Sequence, residues 1–405
     1  MKIALVAQHA TATPGDSAGQ LDDARLRELS RSLASSGHQV TVYAQRTGTK
    51  ARPARTGLGP GVTVEYVGPP ARDSSGRDSS GRGECELLAQ VPAFSRPLHE
   101  RWASDRPDVV HALRWTSGLA ALAAARDLGI PVVQTFDSLG VAERRHHLMP
   151  LGAGAERIRL EPAIGRSASA VVAGSSDEQS DLTRLGVPRR HIRVVPCGVD
   201  TGEFSPEGPA AARTARPRLV TVADLSETDA LANLLDALSK VPGADLIVAG
   251  GPSRDQLRSD LRYRRLVKLA DSLGVTSQVT FAGQVGRAAL PPLLRSADLM
   301  VNVSEYDPSG LTSIQAMACG TPVIASAAGA QGDVIVNGTT GLLVPPGRPA
   351  LLAQRIRQLL AHPMLLDAFS VAAADRAQSR YSWDRIASET LSVYDTVLDT
   401  AAMAA

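Results

Sequence analysis

Short apolar runs alternate with amphipathic segments along most of the chain, as strands and helices do when they follow one another. Residues 20–35 show the helical part of this pattern. Leu26, Leu29 and Leu33 fall on one face there, and Gly37 supplies a stop. The pattern therefore predicts an α/β protein with parallel sheets covered by helices. In the first half, strands are predicted at residues 2–7, 39–43, 108–113, 131–136, 170–173 and 192–195.

The alternation is interrupted at residues 201–217, a stretch rich in Pro, Gly and Ala that has no apolar period. We interpret it as a hinge between a domain at 1–200 and a second α/β domain at 218–380. Strands of the second half are predicted at 219–223, 245–249, 278–281, 299–303, 322–325 and 341–344. Helices are predicted at 349–361, from 364 onward and at 381–398.

Composition and charge exclude several classes of function. The 405 residues include 43 Lys and Arg against 41 Asp and Glu, so there is no basic field for nucleic acid. Cys85, Cys197 and Cys319 lie far apart without metal or redox spacing, which favours a reducing cytoplasm and predicts no metal site. No apolar stretch is long enough to span a bilayer, and the start lacks a cleavage site. We expect a cytoplasmic protein with a small-molecule partner.

Two polar segments stand apart from the α/β pattern. The pentapeptide DSSGR occurs twice in tandem at residues 73–82, which we interpret as a surface loop with a tolerated duplication. The segment 10–20, ATATPGDSAGQ, opens a helix after the first strand, so its amides can approach an anion. It is not a G-x-G-x-x-G sequence, and a plain turn remains the alternative.

The most informative stretch is EYDPSGLTSIQAMACG, at residues 305–320. A strand ends just before it, Pro308 and Gly310 predict a tight turn, and residues 311–319 predict a short helix. Free amides at the start of such a helix form an anion site, and Gly310 permits close approach of a ligand to the backbone. An ordinary strand-to-helix turn is the alternative. His111, which follows a strand, is predicted to be a packed residue rather than a base.

The sequence resembles the GT-B glycosyltransferases of family 4, in a branch similar to sucrose-phosphate synthases and to the mycothiol glycosyltransferase. The resemblance covers nearly the whole chain. It is carried by ATPGDSAGQ, ELSRSLASSGHQVTVYA, RPDVVHA, IPVVQTFDSLGVAERRH, VVPCGVDTGEF, VAGGP, LRSADL, QAMACGTPVIAS, NGTTGLLVPPG and RYSWDRIA.

This resemblance implies a retaining glycosyltransferase with two Rossmann-like domains whose parallel sheets face each other across a cleft. The second domain would hold a UDP- or GDP-sugar and the first a small-molecule acceptor, with no obligatory metal. The final helix, 381–405, would pack back on the first domain.

Several positions depart from the family pattern. Asp137 stands where the family has His, and Asp224 and Asp229 stand where it has Arg and Lys. Asp307 and Gln315 represent the two Glu of its Glu-x7-Glu motif. An aromatic residue is replaced by Ser309, and the glycine pair of the first loop is reduced to Gly19. Exchanging two cations for two anions opposes the binding of a diphosphate.

The resemblance still suggests a role for each position. Asp137 and Asp307 are the expected catalytic contacts to the transferred sugar. Donor binding is expected from Gly19, Asp224, Asp229, Ser309, Gly310, Leu311 and Gln315. Acceptor binding is expected from Arg144, Arg145 and His146, with a solvated helix face as the alternative.

An acidic site leaves several uses open. Its carboxylates can hold a divalent cation, receive a cationic acceptor, or belong to a protein that only binds a partner enzyme. The competing hypothesis to an enzyme is a catalytically degenerate paralogue that acts as a binding or auxiliary subunit. A homodimer also remains open.

Overall fold

The computed structural model describes residues 1–7, 20–47, 55–71, 84–149 and 154–404. They form two compact units. The first unit contains Met1–Pro196 together with the residues from Trp383 onward, and the second unit contains Cys197–Ser382. Each unit has a largely parallel sheet flanked by helices, which confirms the predicted α/β class.

The first unit has an eight-stranded sheet in the order β3-β4-β2-β1-β5-β6-β7-β8. Neighbouring strands are parallel except β3 and β4, which form an antiparallel hairpin at one edge. The pattern of apolar residues does not predict this hairpin. The strands are β1 (Lys2–Ala7), β2 (Gln39–Thr47), β3 (Arg55–Gly59), β4 (Val62–Ala71), β5 (Val109–Leu113), β6 (Val132–Thr135), β7 (Ala170–Ala173) and β8 (Ile192–Val194).

Helices of the first unit include the predicted one at 20–35, whose three leucines are buried as expected. A long helix between β4 and β5 is not predicted from the sequence. The last helix packs against the first one. The helices are α1 (Gln20–Ser35), α2 (Glu84–Ser104), α3 (Trp115–Ala125), α4 (Gly140–Arg145), α5 (Ala155–Ser167), α6 (Ser176–Arg184) and, from the end of the chain, α14 (Trp383–Ala404).

The second unit has a six-stranded, wholly parallel sheet in the order β11-β10-β9-β12-β13-β14. Its strands are β9 (Arg218–Val222), β10 (Asp245–Ala249), β11 (Val279–Gly283), β12 (Leu299–Asn302), β13 (Val323–Ser326) and β14 (Gly341–Val344). Its helices are α7 (Thr228–Leu238), α8 (Leu261–Ser272), α9 (Leu290–Arg295), α10 (Leu311–Ala318), α11 (Gln331–Val334), α12 (Pro349–Leu360) and α13 (Pro363–Tyr381).

The segment interpreted as a hinge, residues 201–217, lies within the second unit and is packed against it. Phe204 is buried in a core cluster of that unit. The Arg295 guanidinium donates hydrogen bonds to the carbonyls of Ser205 and Pro209, at 3.0 and 2.9 Å. The missing periodicity therefore marks irregular structure, and one buried aromatic ring with arginine-to-carbonyl bonds fixes the segment.

Candidate functional site

In the second unit, the turn between β12 and α10 is organised by the side chain of Asp307. Its Oδ1 accepts hydrogen bonds from the amides of Ser309 (3.1 Å) and Gly310 (2.7 Å), and from the Ser309 hydroxyl. Its Oδ2 accepts from the amide groups of Asn302 (3.1 Å) and Gln331 (2.8 Å). Five donors thus converge on one carboxylate, which fixes the turn. The sugar contact expected of Asp307 stays a prediction.

The start of α10 carries both occupied and open amides. The Gly310 amide is taken by Asp307, and the Leu311 amide donates to the Ser309 hydroxyl at 3.2 Å. Among the described residues, no acceptor meets the amides of Thr312 and Ser313. The first turn of the helix therefore offers two free N–H groups, two residues further along the chain than the positions expected from the sequence, Gly310 and Leu311.

Both the backbone conformation and the packing at residue 310 require a glycine. Its φ is 65°, in the left-handed region, and an added Cβ would lie 2.6 Å from Cγ2 of Val334. The space beside Gly310 is therefore filled by α11 of the protein itself, and not left open for a ligand. Gln315, one turn further along α10, is half-buried, and its side chain has no hydrogen-bond partner in the described part of the chain.

After β9, the predicted residue Asp224 lies in the loop and Asp229 lies in the first turn of α7, and both are exposed. Asp224 accepts a hydrogen bond from the Ser226 amide at 2.7 Å. Between them lies Glu227, which is more buried. Burial raises its pKa, nearby acidic groups including Asp307 raise it further, and a hydrogen bond with Ser304 lowers it.

Glu227 is thus a site residue that the sequence interpretation missed. Its position between two substituted motif positions was the available indication. Asp224, Glu227, Glu305 and Asp307 together form what we call the acidic edge, at the carboxyl ends of β9 and β12. Within the described ranges, no three His, Cys, Asp or Glu side chains are grouped so that they could hold a metal ion.

In the first unit, Asp137 follows β6 and forms an ion pair with Arg25 of α1. The distance from Arg25 Nη1 to Asp137 Oδ1 is 2.8 Å. The Arg25 side chain is 11% exposed and the Asp137 side chain is 24% exposed. Asp137 has a φ of 66°, which is strained for a residue with a Cβ. Arg114, at the end of neighbouring β5, also has a positive φ, of 73°. Backbone strain of this kind collects at functional sites.

Glu178, near the start of α6, is the second site residue missed from the sequence. It is 3% exposed, its Oε2 accepts the Gly174 amide at 2.6 Å, and its Oε1 has no partner. Burial raises its pKa to about 7, with Asp137 adding to this effect and Arg25 opposing it. The spacing Ser175-x-x-Glu178, in which the serine caps the helix, was the available indication.

His111 of β5 is packed, as predicted, and is 1% exposed. Its Nδ1 is 2.7 Å from the Tyr394 hydroxyl of α14, and its Nε2 is 2.8 Å from the Thr135 hydroxyl of β6. Burial lowers its pKa to about 3, so the ring is neutral. This chain of hydrogen bonds ties the last helix to the strand that leads to Asp137.

The predicted acceptor residues lie at the end of α4. Arg145 forms an ion pair with Asp181 at 2.6 Å. Arg144 is exposed, and no described carboxylate pairs with it. His146 caps the helix, with its amide donating to the Ala142 carbonyl at 3.0 Å. Gly19 and the repeat at 73–82 lie outside the described residues.

Polar and charged side chains thus gather at the carboxyl ends of parallel strands in both units, as in the class of α/β proteins that bind ligands there. Comparison with known families identifies the class further. Residues 23–198 match the model of the glycosyl transferase 4-like domain, and residues 208–376 match that of the glycosyl transferases group 1. Among the described residues, the helices are all too short or too polar to cross a membrane.

Relatives with curated names support the same assignment. The chain is 31% identical to a D-inositol 3-phosphate glycosyltransferase of Streptomyces bingchenggensis, over 94% of this chain and 85% of the relative. It is 32% identical to the protein of that name from Xylanimonas cellulosilytica, over 94% and 92% of the two chains.

A solved sucrose-phosphate synthase from Thermosynechococcus elongatus has a TM-score of 0.81 and 25% identity, over 99% of this chain and 100% of that one. HepE of Anabaena, solved in complex with UDP, has a TM-score of 0.70 and 19% identity, over 98% and 100% of the chains. The chain belongs to the family 4, group 1 glycosyltransferases and has their GT-B fold.

Proposed function

We propose that this glycosyltransferase moves a sugar from a nucleotide-diphosphate sugar to a small-molecule acceptor, with retention of anomeric configuration. Residues 218–380 would serve the donor, and residues 1–200 with the helix at 381–405 would serve the acceptor. The retaining course is what the family resemblance implies. UDP in the HepE complex and the inositol phosphate in the relatives' name support a nucleotide donor and a small acceptor.

The observation that carries the proposal is the start of α10. Asp307 holds the turn rigidly, and the amides of Thr312 and Ser313 are open. Amides at a helix start favour negative charge, and an α10 of eight residues supplies a helix dipole behind them. Charge that develops on the departing diphosphate would be stabilised there without a divalent cation being obligatory.

The other predicted residues take roles around this centre. Ser309, Gly310 and Leu311 would shape the phosphate site, and Gln315 would hydrogen-bond the ribose. Gly19, Asp224 and Asp229 would border the donor, with Asp137 and Asp307 towards the transferred sugar.

Acceptor recognition would fall mainly to the end of α4. Arg144, Arg145 and His146 would meet the acceptor, and Arg145 is held in place by its ion pair with Asp181. A phosphate or other anionic group on the acceptor suits these residues best.

Calorimetric titration with UDP and with GDP, with and without Mg²⁺, tests the donor site. We expect one nucleotide to bind at one site per chain, with or without the metal. Absence of binding under every condition would favour the degenerate auxiliary subunit instead. Once a donor is found, the coupling constant of the product's anomeric proton, measured by NMR, tests retention.

A further inference from the structure

The acidic edge is the starting point of a further inference, which rests on the proposed function. It places four carboxyl groups of the second unit at neighbouring strand ends, although no three of them are grouped closely enough to hold one metal ion. None of them forms an ion pair with a described Lys or Arg. A nucleotide-diphosphate sugar adds two negative charges beside them. A positive group on the donor next to these carboxylates would therefore offset the repulsion and favour binding.

A buried amide points to the kind of positive group that fits. Gln331 of α11 is 1% exposed, and its Nε2 donates to Asp307 Oδ2 at 2.8 Å. Its Oε1 has no partner. Buried polar oxygens are nearly always hydrogen-bonded, so this one is a group whose partner the described residues do not supply.

A resident divalent cation fits these observations less well than an ammonium group. Metal ions of this kind need several oxygen ligands grouped around one point, and the described residues contain no such group of carboxylates. An ammonium carries one positive charge and three N–H donors, and it has no acceptor. It can satisfy a carboxylate and a neutral carbonyl together.

We propose that the donor carries a free amino group on its sugar, held by the Glu227 carboxylate and the Gln331 carbonyl beside Asp307. The diphosphate of the same donor would lie against the open amides of α10. The two halves of the site then match a ligand that is positive at the sugar and negative at the phosphates. This would make charge, rather than hydroxyl pattern alone, the basis of donor choice.

Three nucleotide sugars test this proposal because they share the base, the diphosphate and the hexose ring. UDP-glucosamine and UDP-4-amino-4-deoxyglucose carry an ammonium, whereas UDP-glucose carries a hydroxyl at both positions. In calorimetry at pH 6.5 without metal, we expect at least one amino sugar to bind tenfold or more tighter than UDP-glucose.

The outcomes separate the two proposals. If UDP binds but all three sugars bind equally well, the amino-sugar inference is overturned and the proposed function stands. A second result would also overturn the amino-sugar inference. If UDP-glucose binds as tightly as the amino sugars once Mg²⁺ is added, the positive charge is supplied by a metal ion bound to the diphosphate. If neither UDP nor any of the sugars binds, both proposals fail.

Substitutions of Glu227 and Gln331 test whether these residues bind the amino group. Glu227→Gln is nearly isosteric and removes one charge, so we expect UDP to bind slightly tighter and the preferred amino sugar at least fivefold weaker. Effects in opposite directions do not arise from misfolding. Gln331→Leu should reduce the amino-sugar preference at least threefold. Asp236→Asn is the control and should leave the preference unchanged, because it removes a carboxylate of α7 that pairs with Lys240 and is not part of the acidic edge. An unchanged preference in Glu227→Gln would contradict the assignment.

Discussion

Arg25 and Asp137 lie 112 residues apart in the sequence, and their side chains meet at 2.8 Å. The pair joins α1 to the end of β6. Where the resembling enzymes place a histidine, this chain has a carboxylate that is already neutralised by its own arginine. The charge of Asp137 is therefore balanced within the protein before a ligand arrives.

Replacing Arg25 with Ala should lower the free energy of unfolding. The variant leaves Asp137 partly buried, close to Glu178 and without its ion-pair partner. For a pair of this partial burial we expect a loss of about 2 kcal/mol, between the values typical of exposed and buried pairs. Urea denaturation followed by circular dichroism measures it.

The control for that experiment is Arg96→Ala. Arg96 pairs with Glu100 on α2, where both side chains are more than half exposed. We expect a change below about 0.5 kcal/mol. Equal losses in the two variants would show that the Arg25–Asp137 pair has no special weight.

Glu178 should make stability depend on pH. Its pKa is about 7 in the folded protein and 4.5 as the ordinary value. The folded state thus binds more protons between these values, and this group's contribution to stability falls as pH rises from 4.5 to 7. Relative to the unaltered protein, Glu178→Gln should therefore gain stability over that range, by up to about 3 kcal/mol. Urea titrations at pH 5 and pH 8 measure it, and a constant difference would exclude the effect.

Gly310→Ala should destabilise the turn before α10 through two effects. A side chain at its positive φ costs about 1 kcal/mol, and the overlap with Val334 adds about 2 kcal/mol. Gly338→Ala separates the two, since Gly338 has a φ of 81° and no atom lies within 4 Å of the added carbon. Thermal unfolding should show the larger loss for Gly310→Ala. Similar losses would mean that the overlap relaxes at no cost.

Restoring the family's cations should strengthen nucleotide binding. Asp224 and Asp229 are both exposed, so Asp224→Arg combined with Asp229→Lys is compatible with the fold. After allowance for solvent we expect UDP affinity to rise at least tenfold, or about 1.4 kcal/mol. Asp236→Lys supplies a cation elsewhere on α7 as a control. If activity is lost while UDP binds more tightly, the carboxylates have been recruited for the reaction.

Much of the fold could be predicted because apolar runs were bounded by clear breaks. The bounds of β1, β7, β10, β14 and α1 agree with the sequence prediction at both ends. The helix α2 was missed because Pro92 and Pro97 interrupt its pattern. The strand β3 was missed because RTGLG has no alternation of β-forming residues.

The candidate site was predictable in its loops but not in its partners. Asp307 and Asp137 were named as candidates because the resemblance to the family places motif positions there, each just after a predicted strand. Gln331 lies 24 residues after Asp307, and Arg25 lies 112 residues before Asp137. Neither position has a local pattern that indicates its contact. Such pairs are set by which strands become neighbours, and this depends on the whole fold.

The division of the chain has a consequence for the order in which the protein can fold. The second unit is one continuous stretch, and its two ends meet where the Val199 amide donates to the Tyr381 carbonyl at 2.8 Å. The first unit is incomplete until α14, which begins at Trp383, has been synthesised. Until then His111 also lacks its hydrogen-bond partner, the Tyr394 hydroxyl. On the ribosome, the unit that begins later is therefore complete first. Release of the nascent chain just before α14 would leave a finished second unit beside a first unit with an uncovered histidine.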